Sequence, residues 1–453
     1  SPRATPSHYS NAMRPAPLKA TILLAAIVPL LPPTTTRAAE FDRQQVVALA
    51  QRADLRVFEG RHLVLISDVP AGPDDDMASL PQAFDAAFAA WCRHFEMDPA
   101  AHADWQALGC LIVEPERFRS CGLLPPAVPA FENGFCAGGR FWLMNQSNPA
   151  YRRHLLLHEG VHAFTITLRG LDAPPWYTEG IAELLATHRL SEGRFEPTPI
   201  PLDRADVEQL GRIEAVRALR EQRSAPSLAD VFATAGSQHH RIPDYAASWA
   251  ATAFLSQHPQ HREAFARAEA GPLDGRFTER LRAVPGFKAD LAGRDFDAFT
   301  DDLDYGYDLA QMTIDWSAGE PLEGVARLTV DPARGWQNTN VSVARGATVR
   351  FQTQGRSEMG RLPGIDVDLS SEGQGITIAW YRGRPIGRLF IAQWLEDPAD
   401  GGRPRFERLA EGSKGRFAAL TTGPIFARIN DSPAGRRDNG QGLELLLAPQ
   451  PSP

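Results

Sequence analysis

The sequence has little lysine, few cysteines and no apolar run long enough to cross a bilayer. Lysine occurs only at Lys19, Lys288 and Lys414, and the formal net charge is −8 at pH 7. A general nucleic-acid binder usually carries a basic patch, so we expect no nucleic-acid partner. The apolar run from Ile22 to Leu31 is interrupted by Pro29 and is shorter than the roughly 20 residues of a membrane span. We therefore expect no integral membrane segment in the mature protein, once the signal peptide that the next features indicate has been cleaved.

The first residues have the features of an export signal. Residues up to Ala12 look like an expression scar, because the run Ser10-Asn11-Ala12 directly precedes Met13, which we interpret as the native start. Arg14 and Lys19 then precede the apolar run, and a small-x-small sequence ends at Ala38. These features are typical of a secretory signal peptide, for which a membrane anchor is the alternative. We predict that residues 1–38 are scar and signal peptide, and that the mature protein is periplasmic or secreted from a bacterium.

The four cysteines are Cys92, Cys110, Cys121 and Cys136. An even number in an exported chain predicts one or two disulfides, although three pairings are open. The C-x-x-C spacing of a zinc ribbon is absent, so a structural role is favoured over a chemical one.

The chain divides into two parts by its secondary-structure signals. Three strand-like segments occur early, and helical patterns predominate from Asn148 to Leu303. After Tyr307, short apolar or alternating segments are separated by Gly, Pro, Asp and Asn, as in a β-sandwich. We predict an α+β chain in which residues 39–307 form a mainly helical domain with a small sheet. Residues 308–453 are predicted to form an all-β sandwich.

One predicted helix carries an H-E-x-x-H sequence, with His158, Glu159 and His162 as its defining residues. Asn148 can cap this helix, and Gly170 is a stop signal. The two histidines lie four residues apart on one face, so both imidazoles can reach a single ion. Glu159 projects beside them and can take a proton from a water molecule at that ion. The motif alone is weak because it also arises by chance.

A catalytic zinc needs a third protein ligand and one open position. We call the predicted helix that carries His158 and His162 the metal helix. The segment Trp176–Glu183 follows it and contains two carboxylates. Thr178 can cap a second helix that runs to Leu190. Glu179 at its start is the expected third ligand. Glu183, one turn further, lies on the same face and can hydrogen-bond a ligand histidine from behind.

The two segments together resemble the gluzincin metallopeptidases, in which H-E-x-x-H is followed by a W-x-x-E-G-x-A-like sequence. The resemblance implies that His158, His162 and Glu179 bind zinc and that Glu159 is the general base. It also implies that a peptide lies along an edge strand before the metal helix, at Gly139–Asn145. The resemblance depends on specific motifs only over residues 140–190. Over the rest of 40–305 it is limited to the general pattern of helices and strands.

Gluzincins also use a tyrosine or histidine to stabilise the oxyanion formed during hydrolysis. Tyr245 is the predicted residue, because it opens a helix downstream of the metal motif. His239 and His240 are the competing residues. The alternative is that Tyr245 is a residue of the hydrophobic core whose hydroxyl has a hydrogen-bond partner and no catalytic role.

The second domain is similar to the bacterial galactophilic lectin, a small β-sandwich. The segments that carry this resemblance are Gly335–Val341 and Phe426–Asn439. It implies that Asp431, Asp438 and Asn439 are calcium ligands through which a sugar binds.

Two positions depart from the lectin pattern. Gly435 stands where the lectin offers a hydroxyl ligand, and the tyrosine ligand has no clear counterpart near Met359. A turn rich in Asn, Asp and Gly is the alternative interpretation of this segment.

The expected function is that of an exported zinc metallopeptidase whose β-sandwich docks it to substrate or glycan. The expected partners are a peptide or protein substrate and a glycan, and the expected cofactors are zinc and, in the second domain, calcium. The alternative is a carbohydrate- or cell-surface-binding protein with a non-catalytic zinc domain. A weaker alternative is a zinc hydrolase of non-peptide amides.

Overall fold

The computed structural model describes residues 42–72, 76–191, 194–207, 211–234, 242–361 and 367–450. The predicted signal peptide and both His239 and His240 lie outside these ranges. The described chain is of the α+β class with a strand-rich C-terminal part, which confirms the predicted class. None of its helices is long and apolar enough to cross a bilayer.

The helices belong to the first part of the chain and build most of its core. Their bounds are α1 (Arg43–Arg52), α2 (Leu80–His94), α3 (Pro115–Ser120), α4 (Pro149–Arg169), α5 (Pro175–Ala186), α6 (Arg212–Glu221), α7 (Leu228–Phe232), α8 (Ile242–Gln257), α9 (Arg262–Glu269), α10 (Phe277–Ala283) and α11 (Ala289–Asp302).

A five-stranded sheet supports the metal helix α4. Its strands are β1 (Arg56–Glu59), β2 (Leu63–Ser67), β3 (Ala107–Ile112), β4 (Gly134–Ala137) and β5 (Arg140–Met144), in the order β1-β2-β3-β5-β4. Strands β2, β3 and β5 are parallel, and β1 and β4 are antiparallel edges. A separate hairpin consists of β6 (His188–Ser191) and β7 (Arg194–Pro197).

The edge strand differs from the one predicted. The segment Gly139–Asn145 contains β5, which is paired on both sides by β3 and β4. The chain reverses at Gly138, where φ is +62°, and β4 therefore covers β5 and becomes the edge. The prediction of Gly139–Asn145 as the edge strand is wrong.

Alternate residues of the sheet face two different cores, because side chains alternate along a strand. Leu65 and Phe141 pack with α2 and α4 on one face. Ile66 and Trp142 pack with α1 and α3 on the other. The sheet therefore separates the metal helix from the N-terminal helix.

The second helix of the site begins earlier than predicted. Helix α5 starts at Pro175 and ends at Ala186, so Leu190 belongs to β6. Thr178 does not cap it, because the Thr178 hydroxyl donates to the carbonyl of Ala173 at 3.1 Å. Glu179 consequently lies inside the helix, where its backbone is fixed.

The prediction of disulfides is also wrong, since all four cysteines are free. Cys92 and Cys136 pack in the core that contains α4, and Cys110 and Cys121 pack in the core on the opposite face of the sheet. The thiols of Cys121 and Cys136 lie 3.5 Å from the backbone carbonyls of nearby residues, to which they donate.

The C-terminal part consists of short strands arranged mainly in two sheets. Their bounds are β8 (Glu320–Pro321), β9 (Ala326–Val330), β10 (Gln337–Val343), β11 (Thr348–Gln354), β12 (Ser357–Glu358), β13 (Ser370–Ser371), β14 (Gln374–Tyr381), β15 (Arg384–Leu395), β16 (Arg405–Glu411), β17 (Lys414–Ala418), β18 (Gly423–Ile429) and β19 (Leu443–Pro449). One sheet has the order β14-β15-β18-β10-β8 with β16 beside β15, and the other has the order β17-β11-β19-β9. Their inner faces share one apolar core.

The two parts of the chain share an interface with apolar and charged contacts. An aromatic cluster joins Ala298 of α11 to Trp316, Trp394, Phe406 and Phe426. Beside this cluster, buried carboxylates of α11 meet arginines of the β-sandwich. Both kinds of contact hold the sandwich against α11.

We predict that Asp302→Ala destabilises the protein by about 3 kcal/mol, because it leaves a buried arginine without its partner. Asp302 lies 2.6 Å from Arg428 Nη1 and 3.2 Å from Arg382 Nη1. Urea unfolding measures the loss. The control is Glu279→Ala, which breaks an exposed pair with Arg276 and should leave the midpoint unchanged. Equal midpoints for the two variants would contradict the importance of the interface pair.

Candidate metal centre

Helix α4 has the boundaries that its sequence predicts. The Asn148 side chain accepts the backbone N–H of Tyr151 at 2.9 Å, and Gly170 ends the helix at φ +62°. Both histidines of the motif are buried within it, at 5% exposure for His158 and 6% for His162. The helix therefore presents two imidazoles from one rigid face.

Glycines allow the neighbouring helices to approach the site closely. A Cβ on Gly180 would lie 2.6 Å from the carbonyl oxygen of Ser248, so α5 contacts the backbone of α8. A Cβ on Gly160 would lie 2.9 Å from the ring of Trp91 in α2. This packing fixes α5, and with it Glu179, against the metal helix.

His158, His162 and Glu179 form a compact group of three ligand atoms. The Nε2 atoms of the two histidines are 3.1 Å apart. Glu179 Oε2 lies 3.3 Å from His158 Nε2 and 3.6 Å from His162 Nε2. A tetrahedral zinc with ligands at about 2.0–2.2 Å has ligand–ligand separations of about 3.3–3.6 Å. The three atoms therefore lie at separations that suit one zinc ion.

The environment of Glu179 also favours a bound cation. Both of its carboxylate oxygens are buried, and Oε2 faces the Nε2 atoms of His158 and His162. Burial alone would raise the pKa of Glu179, but the imidazoles of His162 and His158 outweigh it and hold the pKa well below its usual range. Burial likewise opposes protonation of His158, yet Glu179 and Glu183 raise its pKa to about 10. Without metal, the site retains a proton to balance its carboxylates.

Glu183 supports the histidines from the side away from Glu179. Its Oε1 lies 3.3 Å from His158 Nδ1, and its Oε2 lies 3.3 Å from His154 Nε2. Arg212 holds the same carboxylate through two contacts, of 2.5 Å to Oε1 and 3.1 Å to Oε2. A carboxylate behind a ligand histidine fixes the orientation of its ring. The structure thus gives Glu183 the neighbours expected of a supporting residue.

The sequence analysis missed His154 and Arg212. The spacing of His154, four residues before His158, was a usable signal, because it places a third histidine on the same helical face. Arg212 had no such signal. It lies at the start of α6, and only the packing of α6 against α8 brings it to Glu183.

Glu159 and Tyr245 lie beside the three ligand atoms. Glu159 is 4% exposed, and burial raises its pKa despite the nearby histidines. The ring of Tyr245 is centred 6.4 Å from that of His158, and Arg212 lies over it at 5.7 Å. Burial, with the charges of Glu179 and two other carboxylates, keeps the pKa of Tyr245 well above its usual value. Tyr245 is therefore a neutral hydroxyl next to the site.

A second buried group, His258, His261 and Asp295, has a different geometry. His261 Nε2 lies 2.8 Å from Asp295 Oδ2, and Trp316 Nε1 donates to Asp295 Oδ1 at 2.7 Å. The backbone N–H of Gln260 donates to His258 Nδ1 at 3.3 Å, so a neutral His258 carries its proton on Nε2. These are the contacts of a hydrogen-bond network beneath the domain interface.

In the second domain, Asp431, Asp438 and Asn439 lie at one turn. Asp431 Oδ2 accepts the Asn439 amide at 2.9 Å, and Asp438 Oδ2 accepts the backbone N–H of Arg361 at 3.0 Å. The amide oxygen of Asn439 is buried and has no hydrogen-bond donor in the described chain. Buried Arg436 donates to the carbonyl of Asp431 at 3.1 Å and so holds the turn.

Comparison with known proteins assigns no activity to this chain. Residues 154–270, which contain the three ligand atoms and Tyr245, match a family described as a protein of unknown function, DUF1570. No curated protein matches the sequence. A solved structure described as "EclA N-terminal domain; PllA-like lectin" is similar at 15% identity, covering 28% of this chain and 98% of that chain, with a TM-score of 0.20. None of these names a peptidase family, so the gluzincin resemblance stays a prediction.

We predict that purified protein contains about one zinc per chain and that Glu179→Ala loses most of it, because only two ligands remain. Elemental analysis measures the metal. The matched control is His261→Ala, which removes a histidine from the other buried group and should keep the zinc. Loss of zinc in the control together with retention in Glu179→Ala would place the ion in the second group.

Proposed function

We propose that the protein is an exported zinc-dependent peptidase. The observation that supports this most is the buried Glu179 carboxylate, whose Oε2 lies within 3.6 Å of the Nε2 atoms of both imidazoles. Burying a charge in this way is costly unless a cation neutralises it. Three protein ligands leave one position of a tetrahedral zinc open, as in catalytic zinc sites.

The side chains around this position can carry the steps of hydrolysis. A zinc ion held by His158, His162 and Glu179 would act as a Lewis acid and would lower the pKa of a water molecule. Glu159, which is buried beside the two histidines, takes a proton from the attacking water and passes it to the leaving amine. Tyr245, which stays neutral, donates its hydroxyl proton in a hydrogen bond to the oxyanion that forms.

Strand β4 is the proposed binding edge for an extended peptide. It pairs with β5 on one side, and no described strand pairs with its other side. Its backbone also lies directly against Glu159, since a Cβ on Gly134 would be within 2.9 Å of Glu159 Cγ. A peptide added to this edge by backbone hydrogen bonds would pass the general base.

The deciding variant is Glu159→Gln, which keeps the shape of the side chain but cannot accept a proton. We expect at least a 100-fold loss of peptide hydrolysis with unchanged zinc content. A peptide library with mass-spectrometric detection measures hydrolysis, and a parallel panel of non-peptide amides separates the two hydrolase classes. Zinc-loaded wild type that cleaves neither panel would refute the hydrolase function.

Glycan binding is a second candidate function, favoured by the buried Asn439 amide oxygen beside Asp431. Oxygen ligands of this kind suit calcium.

We predict that calcium binds the wild type and that Asp431→Ala weakens binding at least tenfold by removing a charged ligand. Calorimetry with calcium alone, then with galactosides, measures this. The control is Asp368→Ala, whose carboxylate is exposed and pairs with Arg361. Equal calcium affinity in Asp431→Ala and wild type would remove this candidate.

A further inference from the structure

The edge strand β4 approaches the general base more closely than a side chain would permit. A Cβ built on Gly134 would lie 2.7 Å from Glu159 Cδ and 2.9 Å from its Cγ, and closer still to Oε1. All three separations are shorter than a normal contact between carbon and a heavy atom. The space that a side chain would need at Gly134 is therefore occupied by the Glu159 carboxylate.

The backbone conformation gives no other reason for glycine at this position. Gly134 is not among the residues with positive φ, so an L-residue can adopt its backbone angles. Gly138, in the turn that follows β4, does have positive φ, at +62°. The requirement at Gly134 is thus one of space near Glu159.

The groups on either side of this contact differ in how easily they move. Strand β4 is held by pairing Gly134 with Leu143 and Phe135 with Trp142. The backbone of α4 is held by the contact of Gly160 with α2. The Glu159 side chain has rotatable bonds, so an added methyl group would displace its carboxylate and leave the fold in place.

A second residue of β4 faces the same carboxylate. Cys136 follows Gly134 by two residues and therefore points to the same side of the strand. Burial raises the pKa of the Cys136 thiol, and the charge of Glu159 raises it further. This face of β4 thus borders the general base over two alternate positions.

We propose that Gly134 is a positioning residue for catalysis, whose missing side chain fixes where the Glu159 carboxylate lies. The inference rests on the proposed hydrolase function. It adds the requirement that the edge strand β4 has no side chain at position 134, which binding of the metal alone would not demand. Substitution at Gly134 acts on the reaction through Glu159 and leaves zinc binding and folding intact.

The test is Gly134→Ala in the full-length, zinc-loaded protein. We expect kcat to fall about 100-fold with little change in KM, because a displacement of about 1 Å at a catalytic group has an effect of this size. Zinc content and thermal midpoint should match the wild type. The matched control is Gly139→Ala in the adjacent turn, where the nearest heavy atom to a new Cβ is Thr167 Cγ2 at 3.7 Å. The control should keep kcat within twofold.

A readout independent of turnover is the visible spectrum of the cobalt-substituted protein, which is sensitive to the surroundings of the open coordination position. Gly134→Ala should change this spectrum, and Gly139→Ala should not. Wild-type kcat and a wild-type cobalt spectrum in Gly134→Ala would overturn the inference. If the wild type cleaves no substrate, the hydrolase proposal fails, and the cobalt spectra still decide whether Gly134 positions Glu159.

Discussion

The burial of the Glu179 carboxylate between two imidazoles is the constraint on which the site depends. A carboxylate there has lost its contact with water, and the imidazoles of His158 and His162 are placed to interact with it. Only positive charge can offset that loss, whether protons on the histidines or a metal ion. The surrounding helices are arranged to keep this unfavourable placement fixed. Gly180 lets α5 contact α8, and Glu183 with Arg212 forms a buried ion pair behind His158.

Much of the candidate metal site was readable from sequence because it is local. The cap at Asn148, the stop at Gly170 and the four-residue spacing of two histidines all depend on a single helix. Glu179 was also found, since a short segment following the metal helix carries it. Its place within α5 was not, because Pro174 and Pro175 start the helix before Thr178. Local signals therefore identified the candidate ligands but misplaced the start of the second helix.

The features that the sequence did not predict correctly depend on contacts between residues far apart in the chain. Arg212 reaches Glu183 only through packing of α6 on α8, and no motif reports that contact. The edge strand was assigned to the segment of β5, because sequence does not show that β4 turns back to cover it. Expecting disulfides from export and an even cysteine count failed for a similar reason. An even count does not report which thiols meet in the fold, and here the Cys121 and Cys136 thiols donate to backbone carbonyls.

The interface between the helical part and the β-sandwich has a geometrical consequence. Ala298 of α11 packs with Trp316, Trp394 and Phe406 of the C-terminal part, and Asp302 pairs with Arg428. If the two parts were joined by a flexible linker, a molecule captured by one part could reach the other part whatever its own length, over a broad range. Here the interface instead holds the turn at Asp431 and the candidate metal centre at one fixed separation. A ligand that bound at the turn and at the candidate metal centre together would have to match that separation in length, a requirement that flexibly joined domains would not impose.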